Sequence, residues 1–179
     1  MEFQKVLETR RSVRNYDLSK VVDQQTLKEL LEAVRLAPSW KNSQTSRYYC
    51  VCSEDIRKRI IQDCLPAFNG NSVKNAPVLI VSAFVKNCSG FERNGEPTNE
   101  IGNGWGFYDL GLHDQNLLLK ATDLVLFVFL IDTPIFKLNN PKYLHFNHNS
   151  QCTLCSLFTI NSVYKIKSPT AFVGDFILC

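Results

Sequence analysis

Ala76-Pro77-Val78-Leu79-Ile80-Val81 is apolar at nearly every position. A strand with one wetted face alternates apolar and polar side chains, so an unbroken branched run of this kind predicts a strand buried on both faces. Upstream, an Asn69-Gly70-Asn71 turn is expected to lead into it. Before that turn, Ser53 can cap a short helix in which Ile56, Ile60, Ile61 and Cys64 share a face. Arg47-Tyr48-Tyr49-Cys50-Val51-Cys52 has the aromatic and β-branched content of a second strand. The polar segment from Ser39 to Ser46 reads as a loop. A helix precedes it, with Asp23 as N-cap, Leu27, Leu30, Leu31 and Val34 at the i, i+3, i+4, i+7 spacing, and Pro38 closing it. Phe3, Val6 and Leu7 mark an amphipathic first helix that runs out near Arg10. Downstream of the apolar run, a long polar loop over 86–106 leads to a helix from about Tyr108 to Asp123. Leu112, Asn116, Leu119 and Asp123 form its expected stripe, broadened by Leu110, Leu117 and Leu118.

A chain of 179 residues with 45% hydrophobic and 21% charged content falls in the globular range and is long enough for one sizeable core. Its 20 Lys and Arg against 17 Asp and Glu leave a net charge of +3, too small for the basic field of a dedicated nucleic-acid binder. Any bound anion must be held by local groups. The apolar stretch 124–131 is too short to span a bilayer, and no targeting segment is evident at the start, so a soluble, cytoplasmic protein is expected. Seven scattered cysteines, an odd number, suit reduced thiols better than a disulfide framework.

The residues with the most chemistry are Arg10, Arg11 and Arg14, with Ser12 between them. An extended backbone would fan these guanidinium groups toward one pocket, where they and a serine hydroxyl match the oxygens of a phosphomonoester. The competing reading is a solvated basic turn, with cations meeting the C-terminal dipole of the first helix. About 25 residues on, Ala37-Pro38-Ser39-Trp40-Lys41-Asn42-Ser43-Gln44 ends a helix and opens a loop of short amide and hydroxyl donors. With Asn69, these uncharged groups suit a ribityl chain and the polar edge of a heterocycle.

In order and spacing, five segments over residues 1–124 resemble the nitroreductase family of FMN-dependent enzymes. They are Arg10-Arg11-Ser12-Val13-Arg14-Asn15-Tyr16; Leu30-Leu31-Glu32-Ala33; Ala37-Pro38-Ser39 with Asn42 and Gln44; Ala76-Pro77-Val78-Leu79-Ile80-Val81; and Tyr108-Asp109-Leu110-Gly111-Leu112 with Gln115-Asn116-Leu117. The resemblance implies an α+β fold with a central, mostly antiparallel sheet flanked by helices. It implies that Arg10, with Arg11 and Ser12, holds the FMN phosphate. Arg14 would lie near the pyrimidine edge of the flavin, where a cation favours the reduced, anionic form. It further implies a homodimer with FMN at the interface, the loop bearing Ser39, Asn42 and Gln44 reaching the flavin from the partner subunit, and Asn69 bonding the isoalloxazine. The implied reaction is ping-pong, NAD(P)H reducing the flavin before a nitroaromatic or quinone acceptor takes the electrons, with no obligatory protein acid or base. The alternative is a non-catalytic relative that binds a phosphorylated ligand or partner without redox turnover.

The resemblance has limits. Thr45 and Ser46 stand where many relatives have proline and an aromatic residue. After Leu124 the family's Gly-Leu segment, next helix and basic tail are not recognisable. Only two of the 17 acids, but seven of the twelve phenylalanines, lie in the last 55 residues. A shifted reading frame would give such a mixture. The expected organisation is therefore an FMN-binding domain over 1–124 and an unmatched tail over 125–179, leaving the fold incomplete at its C-terminus. In that tail His145, His148, Cys152 and Cys155 span only eleven residues, too tight for an ordinary structural zinc set, and no metal is expected. Trp105 and Tyr108 read as packing groups, His113 as a surface or packed residue, and Asp109 and Asp114 as surface or helix-start charges.

Overall fold

The computed structural model describes residues 1–16, 19 and 21–131, and the backbone of two further strands at 152–162 and 173–176. In chain order the elements are α1 (Phe3–Thr9), α2 (Gln24–Arg35), a 3-10 turn (Trp40–Asn42), β1 (Ser46–Val51), α3 (Glu54–Cys64), α4 (Ala67–Val73), β2 (Val78–Val85), α5 (Gly104–Asp123), β3 (Leu126–Ile131), β4 (Cys152–Ser162) and β5 (Val173–Phe176). The strands form one sheet in the order β3-β4-β2-β1-β5, and each neighbouring pair is antiparallel. This is the expected α+β architecture, a central sheet between helical layers.

β2 has the two-sided burial that its composition predicts. Leu79, Val81 and Ala83 join Tyr49, Val51, Ile60, Leu65 and Val73 in a core on the α3–α4 face. Val78, Ile80 and Phe84 join Tyr48 and Cys50 with the buried leucines of α2 and α5 on the other. The sheet is thus covered on both sides by apolar helix faces, which is where most helical stability originates. α2 follows its sequence closely. Asp23 is extended (φ −83°, ψ 166°), its carboxylate accepts the Thr26 N–H, and Leu27, Leu30, Leu31 and Val34 are buried. Ser53 precedes α3 but makes no side-chain cap bond; Glu54 and Asp55 in the first turn complement the helix dipole instead.

Two local readings need correction. Asn69-Gly70-Asn71 is not a turn but the middle of α4. Gly70 is buried there, and a Cβ on it would lie 3.3 Å from Ile61 Cγ2, so the glycine serves close packing of α4 on α3. α5 begins at Gly104, and its buried face is Gly106, Asp109, Leu110, His113, Asp114, Leu117 and Ala121 rather than the stripe through Leu112 and Leu119. Past the last family-like motif, Val125 turns the chain in a left-handed conformation (φ 57°), and Leu126, Val128, Phe129 and Ile131 of β3 are buried. His145 and His148 lie outside the described residues, and Cys152 and Cys155 fall on β4. Among the described residues no helix is long and apolar enough to cross a membrane, and no group of side chains could hold a metal ion.

Candidate functional site

α1 stops at Arg10, whose N–H still bonds the Val6 carbonyl while its own backbone turns out of the helix (φ −54°, ψ 122°). The chain then runs alongside β3: Ser12 bridges Val128 in parallel, and the Val13 N–H donates to the Val128 carbonyl at 3.1 Å. The basic run is therefore extended, as fanning its side chains requires. Arg10 and Arg11 line a cleft of about 370 Å³ between the end of α1, the last turns of α5 and the start of β3, together with Thr9, Thr122, Leu126 and Phe127. Arg11 Nη1 donates to the Arg10 carbonyl at 2.7 Å. Arg14 extends the run past the cleft and stacks on Phe129, its Cζ 4.5 Å from the ring centroid. Among the described residues none of the three guanidinium groups is paired with a carboxylate. Among the described residues their charge is therefore open to an external anion.

The second group of candidates lies on the loop before β1. Lys41 (φ 45°), Asn42 (φ 55°) and Gln44 (φ 50°) all occupy the left-handed region, which costs a non-glycine side chain free energy and persists only when surroundings enforce it. The enforcing contacts are visible. Asp109 on α5 accepts the Trp40 N–H at 2.9 Å, the Ser43 hydroxyl at 3.3 Å and the Ser89 hydroxyl at 2.6 Å. Lys41 bonds Glu92 at 2.9 Å and sits over the Trp40 ring, 4.4 Å from its centroid. Within the loop, Ser39 Oγ accepts the Gln44 N–H at 3.0 Å. Asn42 and Gln44 themselves are exposed. Just beyond, Thr45 Oγ1 and Ser46 Oγ are buried without a hydrogen-bond partner among the described residues.

The structure thus groups Arg10 and Arg11 at one cleft, continues the run through Ser12 to Arg14, and holds Ser39, Asn42 and Gln44 on one clamped loop. No hydrogen bond or ion pair joins that loop to the arginine run among the described residues. Asn69 is half-buried on α4, which packs on the sheet face that also carries Phe129, the ring under Arg14. Reading Asp109 and Asp114 as surface charges is wrong: they are 1% and 7% exposed. Asp114 accepts the Tyr48 hydroxyl at 2.6 Å and the Ser82 hydroxyl at 3.3 Å. Burying an ionised carboxylate is costly unless donors surround it, and those of Asp109 come from 20 to 69 residues away. Only their i, i+5 placement beside Leu110, Leu117 and Ala121 on α5 could have hinted at burial. His113 is packed, with Nδ1 2.6 Å from the Asp109 carbonyl. Trp105 is half-buried, bonds Asn99 through Nε1 and meets Tyr108 edge-on, as a packing group does, whereas Tyr108 is 60% exposed and does not fit the packing reading.

Residues 7–76 match the Nitroreductase family. Over 102 residues the chain is 28% identical to the Bacillus subtilis (strain 168) protein YdgI, whose name is that of an NAD(P)H nitroreductase. That match covers 56% of this chain and 48% of YdgI, so the chain spans about half the length of this relative. Among solved structures it is similar to a nitroreductase family protein from Clostridium novyi NT, with TM-score 0.71, 19% identity, and 90% of this chain and 85% of that one covered. It is also similar to a nitroreductase from Desulfovibrio desulfuricans described as in complex with FMN, with TM-score 0.68, 21% identity, and 97% and 93% covered. At such identities the structural likeness speaks for the fold, and the sequence match for the segment that carries the arginine run and the clamped loop. Residues 7–76 are nitroreductase-family sequence, set within a nitroreductase-like fold.

Proposed function

We propose that the chain binds FMN and acts as an oxidoreductase that passes electrons from NAD(P)H to a nitroaromatic, quinone or similar small acceptor in a ping-pong sequence. The observation that carries this reading is the extended arginine run, free of carboxylate partners among the described residues, with Arg10 and Arg11 lining a cleft. Forked donors around a concave site suit a phosphate, which carries nearly two negative charges and three acceptor oxygens. Further support comes from the family match over these residues and from the FMN complex formed by a protein of the same fold.

When bound, FMN supplies the two-electron chemistry. The side chains of this chain bind and orient. Arg10 and Arg11 hold the phosphate, with the Ser12 hydroxyl as a further donor. Arg14, kept in place by the Phe129 ring, puts a positive charge near the pyrimidine edge and raises the affinity for the reduced form. Ser39, Asn42 and Gln44 provide uncharged contacts to the ribityl chain and ring, reaching across from a second copy of the chain in a homodimer. Asn69 gives a further contact to the ring.

The test is the visible spectrum of the protein after incubation with FMN and gel filtration, followed by anaerobic NADPH. Retained yellow colour that bleaches on reductant is expected; a colourless protein refutes the assignment and leaves the non-catalytic alternative. Replacing Arg10 by alanine should weaken FMN binding by about 2–3 kcal/mol, the range for a charge-assisted bond to an ionised group. Unchanged affinity would show that the phosphate lies elsewhere.

A further inference from the structure

We propose that Asp109 is a positioning residue for the flavin site, acting through the Ser39–Gln44 loop; the inference rests on the FMN reading above. The two buried carboxylates of α5 differ in what they hold. Asp114 takes its hydroxyl donors from Tyr48 on β1 and Ser82 on β2, both inside the sheet. Asp109 takes none of its side-chain bonds from the sheet. Trp40 N–H and the Ser43 hydroxyl belong to the loop that carries Ser39, Asn42 and Gln44, and the Ser89 hydroxyl to the segment between β2 and α5.

The loop also needs such an anchor. Three of its residues, Lys41, Asn42 and Gln44, are held at positive φ, a state that relaxes once the restraint is removed. Asp109 fixes the loop on both sides of Lys41 and Asn42, through Trp40 and Ser43. Two other restraints are weaker or internal: the ion pair of Lys41 with Glu92 is exposed, and the Gln44 N–H to Ser39 Oγ bond lies within the loop and ties it to nothing else. Withdrawing the carboxylate therefore frees the backbone that sets the direction of the Asn42 and Gln44 side chains, while the arginine run, attached to β3, stays where it is.

That separation gives a direct test with FMN and riboflavin, the same ring and ribityl chain with and without phosphate, titrated by fluorescence at a temperature where circular dichroism shows each variant folded. Arg10→Ala should weaken FMN and leave riboflavin unchanged. Asp109→Ala should weaken both by the same factor, about tenfold, as expected when one or two net hydrogen bonds from the loop to the flavin are lost. Asp109→Asn keeps an acceptor oxygen for the Trp40 N–H and offers an amide NH2 that the Ser43 and Ser89 hydroxyl oxygens can accept, so it should recover most of that loss. Asp114→Asn should lower the melting temperature yet hold both affinities within about twofold. If Asp109→Ala does not fold, the pair Ser43→Ala and Ser89→Ala removes two of the three donors to this carboxylate, one of them from the loop, and should show a smaller loss that is again equal for the two flavins. A folded Asp109 or double-serine variant with wild-type affinity for both flavins, or with a loss confined to FMN, overturns the positioning role alone. A wild-type chain that binds neither flavin overturns the FMN reading with it.

Discussion

Replacing Gly106 by alanine separates tertiary fit from helix propensity. On propensity alone the change should help, because alanine is favoured over glycine in a helix by about 1 kcal/mol, less in a first turn. The packing says otherwise. A Cβ at position 106 would stand 2.3 Å from both Cδ2 and Cε2 of Phe84 and 3.0 Å from its Cγ, where carbon atoms rest at about 3.5–4.0 Å. More than about 1 Å of movement is required. Phe84 cannot readily supply it, being 1% exposed on the central strand with its ring packed edge-on against Phe107 at 4.8 Å. Overpacking of this kind costs about 1–3 kcal/mol, which outweighs the propensity gain. At about 2–4 °C per kcal/mol for a chain of this size, the overpacking alone lowers the melting temperature by roughly 2–12 °C, the propensity gain offsetting part of it, and the urea midpoint should fall with it. In a Phe84→Leu background, where the colliding ring is gone, the same substitution should cost less than about 1 kcal/mol, so the two changes couple. An alanine variant as stable as the parent, or more so, would refute the steric account.

Two further outcomes follow from buried polar groups. Burial raises the Cys50 thiol from 9.0 to about 12. The unfolded chain therefore loses this proton first as pH rises, and stability should fall between about pH 9 and 12 by up to about 1.4 kcal/mol per pH unit. Cys50→Ala should flatten that part of the stability profile in urea titrations, and an unaltered slope would contradict it. Tyr48→Phe removes the 2.6 Å donor to the Asp114 carboxylate and should cost about 1.5–3 kcal/mol in the same measurement. A neutral result would mean that this bond contributes nothing net to folding.

Legibility in the sequence follows the range of the causes. α2 could be read almost residue by residue, because its cap and its apolar spacing lie within one short segment. β2 was legible because unbroken burial leaves a compositional mark. Asn69-Gly70-Asn71 misled, since its turn propensity is local whereas the reason for helix there is the side of Ile61, across α3. Asp109 and Asp114 misled for the same reason: nothing near them in the chain announces the tyrosine and serine hydroxyls that meet them. The arginine run was legible as chemistry, and the resemblance supplied the expectation of where it points. That the loop carrying Ser39, Asn42 and Gln44 is held in left-handed conformations was invisible, because asparagine and glutamine do not require them.

The sheet order has a consequence for biosynthesis. β2 is central, yet one of its neighbours, β4, begins about 66 residues after β2 ends, and the outer partner of β1 comes later still. At roughly 5–20 residues per second, a nascent chain that has already made the β1–β2 pair waits several seconds with the apolar edge of β2 uncapped. During that interval any strand, from this polypeptide or another on the same polysome, can zip onto it. Chaperone demand in the cell should accordingly be set by the delay in making β4 rather than by the stability of the finished fold.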